Sequence, residues 1–261
     1  MPNLLLGWPN AFTYGTLYAV PQESALPCTN LANDQGNPAS ALQLSTTAGT
    51  FAVSLPAAVP FRVFSIHRTN LTTAATIRVQ LWAGTSASGS PVFDTGVVPA
   101  GVVPGYGQSV IVAPADVTGA FVLFTLSDPS NPDGHLNIPL AYAGPAWQPS
   151  RNMDSSSAFG RTSQAASITT RSGGVVTRSD WVKRLYVLSL SAVRADEVWP
   201  RLMDLDLYAR RGNNVLFVPN PASALLTQQA VFGQLEPDGT IGYQAAKPLY
   251  RTYKATITER L

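Results

Sequence analysis

The first 145 residues alternate between apolar and polar positions with a period of two, in short runs set apart by Gly, Pro, Ser and Asn. TFAVSL (50–55) places Phe51, Val53 and Leu55 on one face, and FRVFSIH (61–67) opposes Phe61, Val63, Ser65 and His67 to Arg62, Phe64 and Ile66. ATIRVQLWAG (75–84), SPVFDTG (90–96), QSVIVAP (108–114), GAFVLFTLS (119–127) and LNIPLAYAG (136–144) continue the series. Seven such segments with turn signals between them and no helical period predict a β-sandwich or jelly roll. The 21 prolines, mostly at segment ends, suit strands that stop or lie at an edge.

The second half follows another pattern. WVKRLYVLSLSA (181–192) reads as a strand running into Ser191, an expected N-cap. After it Val198, Leu202 and Leu205 recur at helical spacing, with Asp196 and Glu197 early and Arg210-Arg211-Gly212 at the close, the charge order and stop that a helix favours. Pro200 inside this segment should kink the helix or reset its start. NVLFVP (214–219), QAVFGQLE (229–236) and YRTYKATITERL (250–261) are further strands. The expected fold is mainly β, an N-terminal β-sandwich or jelly roll (1–142) followed by a smaller α+β domain with one main helix (154–261).

Between them lies AGPAWQPSRNM (143–153), too apolar and too stiff for a free linker. Pro145 and Pro149 hold extended backbone, and Trp147 must bury its ring. It is expected to be an ordered interdomain strap, with Trp147 docked on one domain and Arg151 pairing at the seam. The plainer alternative is a connection whose Trp touches only its neighbours. Residues 154–180 have few large apolar side chains and read as a long arm or loop ordered by a neighbouring subunit.

Charge changes this picture in one respect. Charged residues make up 12% of the chain, about half the usual ~25%, so the surface is either polar and neutral or covered by other subunits. Residues 1–145 hold three basic residues against six acidic ones, and 146–261 hold fourteen against nine. The basic residues are scattered rather than striped, which argues against a nucleic-acid partner. Cys28 is the only cysteine, so neither an internal disulfide nor a cysteine metal site is expected. The opening MPNLLLGWPNAF lacks a basic secretory n-region, and the longest apolar run, AFVLFTL (120–126), is too short to span a bilayer. Synthesis in the cytoplasm without a membrane anchor is the expectation.

Candidate chemistry is sparse. VFDTG (92–96) has the form of an aspartic-protease strand, yet one copy supplies one Asp94 where a dyad needs two, and Asp and Gly equally make a turn. No nucleophile elbow, P-loop or dinucleotide fingerprint is present. His67 ends a strand and reads as packed or at a rim; His135 lies far from it. Asp196, Glu197, Asp204 and Asp206 read as helix-surface charges. Asn70-Leu71-Thr72 matches a glycosylation sequon that should stay bare without a signal peptide. No enzyme, metal or cofactor is expected. Trp8, Tyr14, Tyr18, Trp82 and Tyr106 are aromatics that either pack in the core or an interface or stack on a glycan; Trp82 and Tyr106 are the candidate glycan contacts.

FRVFSIHRTNLTTAATIRVQLWAGT followed by PVFDTG resembles the first part of a group of tailed-bacteriophage virion proteins. The matching residues are His67-Arg68-Thr69-Asn70-Leu71, Ala75-Thr76-Ile77-Arg78-Val79-Gln80-Leu81 and Phe93-Asp94-Thr95-Gly96. AGPAWQPSRNM, RSGG (171–174) and ITERL (257–261) are also similar to that group. The resemblance implies a galactose-binding-like (discoidin-type) jelly roll in a tail-tip or baseplate protein of the distal tail or minor tail type. It further implies a virion location and a non-enzymatic role, with ring-like self-assembly joining tail tube to hub or fibre proteins. The other reading is a carbohydrate-binding module that recognises host-surface glycans. Folds of this kind often keep the shape and lose the ligand, so no sugar ligand is carried over.

Overall fold

A computed structural model describes residues 3–243 and 249–260. The strands run β1 (Leu5–Gly7), β2 (Thr16–Val20), β3 (Leu42–Leu44), β4 (Ala48–His67), β5 (Thr76–Trp82), β6 (Phe93–Asp94), β7 (Val98–Pro99), β8 (Ser109–Ser127), β9 (Leu136–Ile138), β10 (Leu140–Gly144) and β11 (Ala146–Trp147). β12 (Ala158–Thr169), β13 (Val175–Arg194), β14 (Asn214–Val218), β15 (Val231–Pro237), β16 (Gly242–Tyr243) and β17 (Tyr250–Glu259) follow. The helices are short: α1 (Ala195–Glu197), α2 (Met203–Arg210) and α3 (Leu226–Gln229). The fold is mainly β, as the alternation predicts.

The chain forms two compact units. The first takes residues up to Gln148 together with Val215–Ala230, and the second takes Pro149–Asn214 and Val231–Arg260. By sequence pattern, 215–230 belongs with the second half. The chain instead returns, because β14 pairs with β1 (Leu5 with Val218, Leu6 with Phe217) and β1 pairs in turn with β11. No local pattern announces so distant a pairing.

In the first unit, the segments read separately as 50–55 and 61–67 are one strand, β4, and 108–114 and 119–127 merge into β8. Register shifts between Ser54 and Val59 and between Phe61 and Val63 bend the ladder, beside Pro56 and Pro60. The first half of β4 therefore pairs with β2, and its second half pairs with β10. β8 accompanies β4 through the bend and carries β5 on its other edge, with β6 and β7 beyond. The two halves face each other across one core. Phe51 stacks on Phe124 at 4.7 Å between ring centroids, Phe64 on Phe93 at 5.5 Å, and Phe64 meets Phe124 edge-on at 6.4 Å. Truncating one of these rings costs about 3–5 kcal/mol.

The outer face of the β10–β4–β8 half is also covered. Ser65, His67, Gln108, Val110, Leu140 and Tyr142 are all buried. A Cβ at Gly7 would come within 2.7 Å of the Tyr142 hydroxyl, so β1 needs its glycine to lie this close. The Tyr142 hydroxyl donates to the Pro145 carbonyl at 2.5 Å.

The second unit is an antiparallel sheet in the order β15–β17–β13–β12, with β16 also on β17. Leu202, Leu205 and Ala209 are buried, and α2 lies against β15. Pro200 sits in a widened π-type turn (Val198–Leu202) between α1 and α2, which is the predicted kink: a ring without an N–H opens the ladder. Ser191 is not the N-cap. β13 continues to Arg194, which pairs with Tyr250, and Arg194 takes that position with no side-chain cap. Residues 158–194, much of the expected arm, form a long β12–β13 hairpin closed by Gly173 in left-handed backbone (φ +82°). β12 is solvent-exposed almost throughout.

Candidate functional site

Two loops of the jelly roll leave from neighbouring roots. One follows β4, starting after His67; the other ends before β8, at Gln108. The Gln108 side-chain amide nitrogen donates to the carbonyls of Thr227 and Ala230, the latter at 3.0 Å. Its oxygen therefore faces His67 Nδ1 at 3.1 Å, and Nδ1 carries the proton. Nε2, left as the acceptor, takes the hydroxyl of Ser65 at 2.8 Å. Ser65 and His67 have nucleophile–base spacing but are 1% and 3% exposed, and their third partner is an amide, so no substrate reaches them. The chain Ser65–His67–Gln108 is a strut.

One residue further on, the loops are joined. Thr69 donates to the Gly107 carbonyl through both its N–H (2.7 Å) and its hydroxyl (3.0 Å). Gly107 has φ +57°, and a Cβ there would lie 2.5 Å from the Thr69 carbonyl oxygen. Arg68, between strut and joint, is the one non-glycine residue with positive φ (+62°) among the described residues. Such backbone persists only where its surroundings hold it.

A third segment, 128–137, fastens the first loop from behind. Asp128 accepts from the Thr72 N–H and hydroxyl, both at 2.7 Å, and from the Asn131 amide at 3.2 Å. The Asn70 amide donates to Asp133 (2.8 Å) and to the His135 carbonyl (2.9 Å), and its oxygen accepts from the Asn137 N–H (2.8 Å). His135 itself lies on this segment, its Nδ1 2.8 Å from the Asp133 carbonyl.

Between the loops lies a cleft of about 550 Å³, lined by residues 68–73 and 102–107. Its chemistry is mixed: the Tyr106 ring, the apolar Val102, Val103 and Pro104, the threonines 69, 72 and 73, and Arg68 as the single charged group. Among the described residues no acidic side chain lines it. An aromatic face, hydroxyls and one guanidinium in a concave space of this size suit a small polar ligand with apolar C–H faces.

The other residues singled out from the sequence lie elsewhere. Trp82 is 6% exposed, packs edge-on against Phe121 and donates its indole N–H to the Gly89 carbonyl, so its ring is not offered to a ligand. Trp8 is buried and meets Trp147 edge-on at 6.2 Å within the first unit. Tyr14 and Tyr18 are half exposed, away from the cleft lining. Pro145 contributes its carbonyl to Tyr142, and Pro149 opens the second unit. Arg151 has no ion pair among the described residues; it lines a second cleft, with Ser150, Arg194 and Asp196. Asp94 is held by Nε and Nη2 of Arg78, at 2.9 and 2.6 Å, and by the Gly96 N–H. That pairing drops its carboxyl to about 2, which suits a turn anchor and opposes a proton-sharing acid. Asp206 pairs with Arg210, Asp196 with Arg194, and Glu197 accepts from Ser150; Asp204 is exposed on α2. Cys28 is buried, which raises its thiol. Among the described residues there is no cluster of three or more metal-ligating side chains and no helix long and apolar enough to cross a membrane.

The sequence alone points to Tyr106 but does not bring Arg68, Gly107, Gln108, Asp128 and Asn131 together as parts of one site. HRTNLTT and VPGYGQ carried the only signal, turn-forming residues flanking strands.

No family model matches this chain, and no curated protein does. Solved structures are similar over about half of it. A fucose-binding module from Streptococcus pneumoniae is 10% identical with a TM-score of 0.41, over 52% of this chain and 94% of that one. The family 32 CBM from C. perfringens NanJ, in complex with galactose, is 11% identical with a TM-score of 0.39, over 53% and 98%. Chitosan-binding module 1 from a Paenibacillus sp. IK-5 chitosanase/glucanase is 13% identical with a TM-score of 0.40, over 53% and 100%.

Proposed function

We propose that this chain is a non-catalytic binding protein whose jelly roll takes a saccharide between the 68–73 and 102–107 loops. The observation that carries the reading is the convergence of Arg68, Tyr106 and Thr73 on one cleft whose walls are fastened before any ligand arrives. A rigid cleft spends little of its binding energy on ordering loops. Sugars need this mixture: a ring face for their C–H groups and fixed polar groups for their hydroxyls. The test is calorimetry of the full chain against a panel of mono- and oligosaccharides. Saturable binding that weakens at least tenfold in Tyr106→Ala is expected. Absence of binding to every sugar at millimolar concentration would remove the reading.

A second reading, structural, is favoured by a different observation. The β12–β13 hairpin exposes Phe159 (82%) and Ile168 on the edge strand β12, and Val175 and Val176 at the start of β13, with no cover among the described residues. Natural sheets shield such edges, and a virion assembly would supply the shield. In that reading the chain is a tail-tip or baseplate component of a tailed phage, self-assembling and joining tail tube to hub or fibres, and the cleft would serve recognition within the same particle. Light scattering after size-exclusion chromatography, over a concentration series, tests it. A discrete closed oligomer supports it; a monomer at every concentration counts against self-assembly.

A further inference from the structure

Resting on the saccharide reading, we infer that the cleft selects an acidic saccharide, one whose ring bears a carboxylate, with Arg68 as its counter-charge. The polar groups lining the cleft can be sorted by whether the protein already uses them. Asn70 has both amide hydrogens and its oxygen engaged. The Thr69 and Thr72 hydroxyls donate to the Gly107 carbonyl and to Asp128. The Arg68 guanidinium and the Thr73 hydroxyl have no hydrogen bond or ion pair to protein among the described residues. Among these five residues the unspent chemistry is thus one fork of N–H donors with a full positive charge, and one hydroxyl.

No protein carboxylate is free to neutralise that charge from the cleft wall. Asp128 is turned onto Thr72 and Asn131, Asp133 takes an Asn70 amide hydrogen, and neither lines the cleft. By contrast Arg78, Arg184 and Arg210 each bond a carboxylate at 2.7 Å or less. A neutral sugar would leave the Arg68 charge unmatched. A carboxylate accepts two parallel N–H bonds from a guanidinium, and charge-assisted bonds of this kind are about twice as strong as neutral ones. The backbone adds direction. Arg68 is held at φ +62° between the His67 strut and the Thr69–Gly107 joint, so the root of the side chain is fixed while its head stays unbound.

The experiment compares matched pairs on the full chain by calorimetry: glucuronate with glucose, galacturonate with galactose, and sialyllactose with lactose. Inorganic sulfate and acetate serve as bare-anion controls. At least one acid is expected to bind tenfold or more tightly than its neutral parent, with a preference that shrinks as salt rises. Arg68→Gln should abolish the preference, and Arg171→Gln, an exposed arginine outside the cleft, should keep it. Should Arg68→Gln fail to fold, Arg68→Asn, a residue that tolerates left-handed backbone, replaces it. Equal or tighter binding of the neutral sugars overturns the acidic selectivity and leaves the saccharide reading standing. Silence from every sugar overturns both. Sulfate or acetate binding as tightly as the acids makes this a plain anion site and overturns the inference as well.

Discussion

His67 and Gln108 meet at 3.1 Å across the roots of two loops that are 41 residues apart in sequence. His67 is the last residue before its loop and Gln108 the first after the other, so the bond ties the two cleft walls together at their roots. Gln108 is also tied to Thr227 and Ala230, so a helical turn far along the chain braces the same wall.

Replacing Gln108 with Leu should therefore be expensive. It strands His67 Nδ1 and two backbone carbonyls in a buried place, a cost of about 2–4 kcal/mol. Urea unfolding should show the midpoint fall accordingly, and sugar binding should weaken in parallel at temperatures where the variant is still folded. A loss below about 0.5 kcal/mol would mean the strut is not what braces the loops.

Gly107→Ala probes the joint. The new Cβ would stand 2.5 Å from the Thr69 carbonyl oxygen in a backbone conformation that L-residues avoid. The loops must separate, with an expected destabilisation of about 1–3 kcal/mol and a larger proportional loss of affinity. Wild-type stability together with wild-type binding would show that the close approach is dispensable. Gly105→Ala, where no atom lies within 4 Å, tests positive φ without the clash.

Asp94 should shape the acid limb of stability. Its folded carboxyl lies at about 2, below the ordinary 3.8, chiefly through its hydrogen bond to Arg78. A depressed carboxyl stabilises the fold fully above its unfolded value and loses that contribution as pH falls through its folded value. The window is thus pH 4 down to about 2. Carbon-detected NMR titration should find Asp94 ionised at pH 3, and Asp94→Asn should flatten unfolding midpoints across that window. An Asp94 that titrates near 4 would contradict the pairing.

Tyr253 offers a change in the other direction. Its hydroxyl is buried without a hydrogen-bond partner among the described residues, and desolvation raises its ionisation far above the usual phenol range. Tyr253→Phe removes only the unsatisfied group, so stability should hold or rise by up to about 1 kcal/mol. Thermal or urea unfolding decides the matter: a loss above 1 kcal/mol would reveal a partner for the hydroxyl.

Alternation in the sequence was enough to locate most strands of the jelly roll, and 3.6-residue spacing with Pro200 located the interrupted helix. These are local periodicities, written in residues a few positions apart. Ser191 shows the limit of such signals. Its hydroxyl suits a cap, but β13 extends to Arg194 by pairing with β17, and the ladder outweighs the cap. The outer part of the hairpin, 158–180, is hidden for the opposite reason: both of its faces are solvated, so no apolar face marks the strands there.

The sequence by itself determined the strand-rich class, the break between two halves of different charge, and the scarcity of catalytic groups. Those features depend on composition and on neighbours along the chain. Only the tertiary structure decided that β4 and β8 bend through both halves of one sheet, that 215–230 returns to the first unit, and that Arg68, Tyr106 and Gly107 share a cleft. Each depends on backbone hydrogen bonds between residues tens to hundreds of positions apart. Such pairing leaves no mark in either partner's own stretch of sequence, because every residue carries the same N–H and C=O to offer.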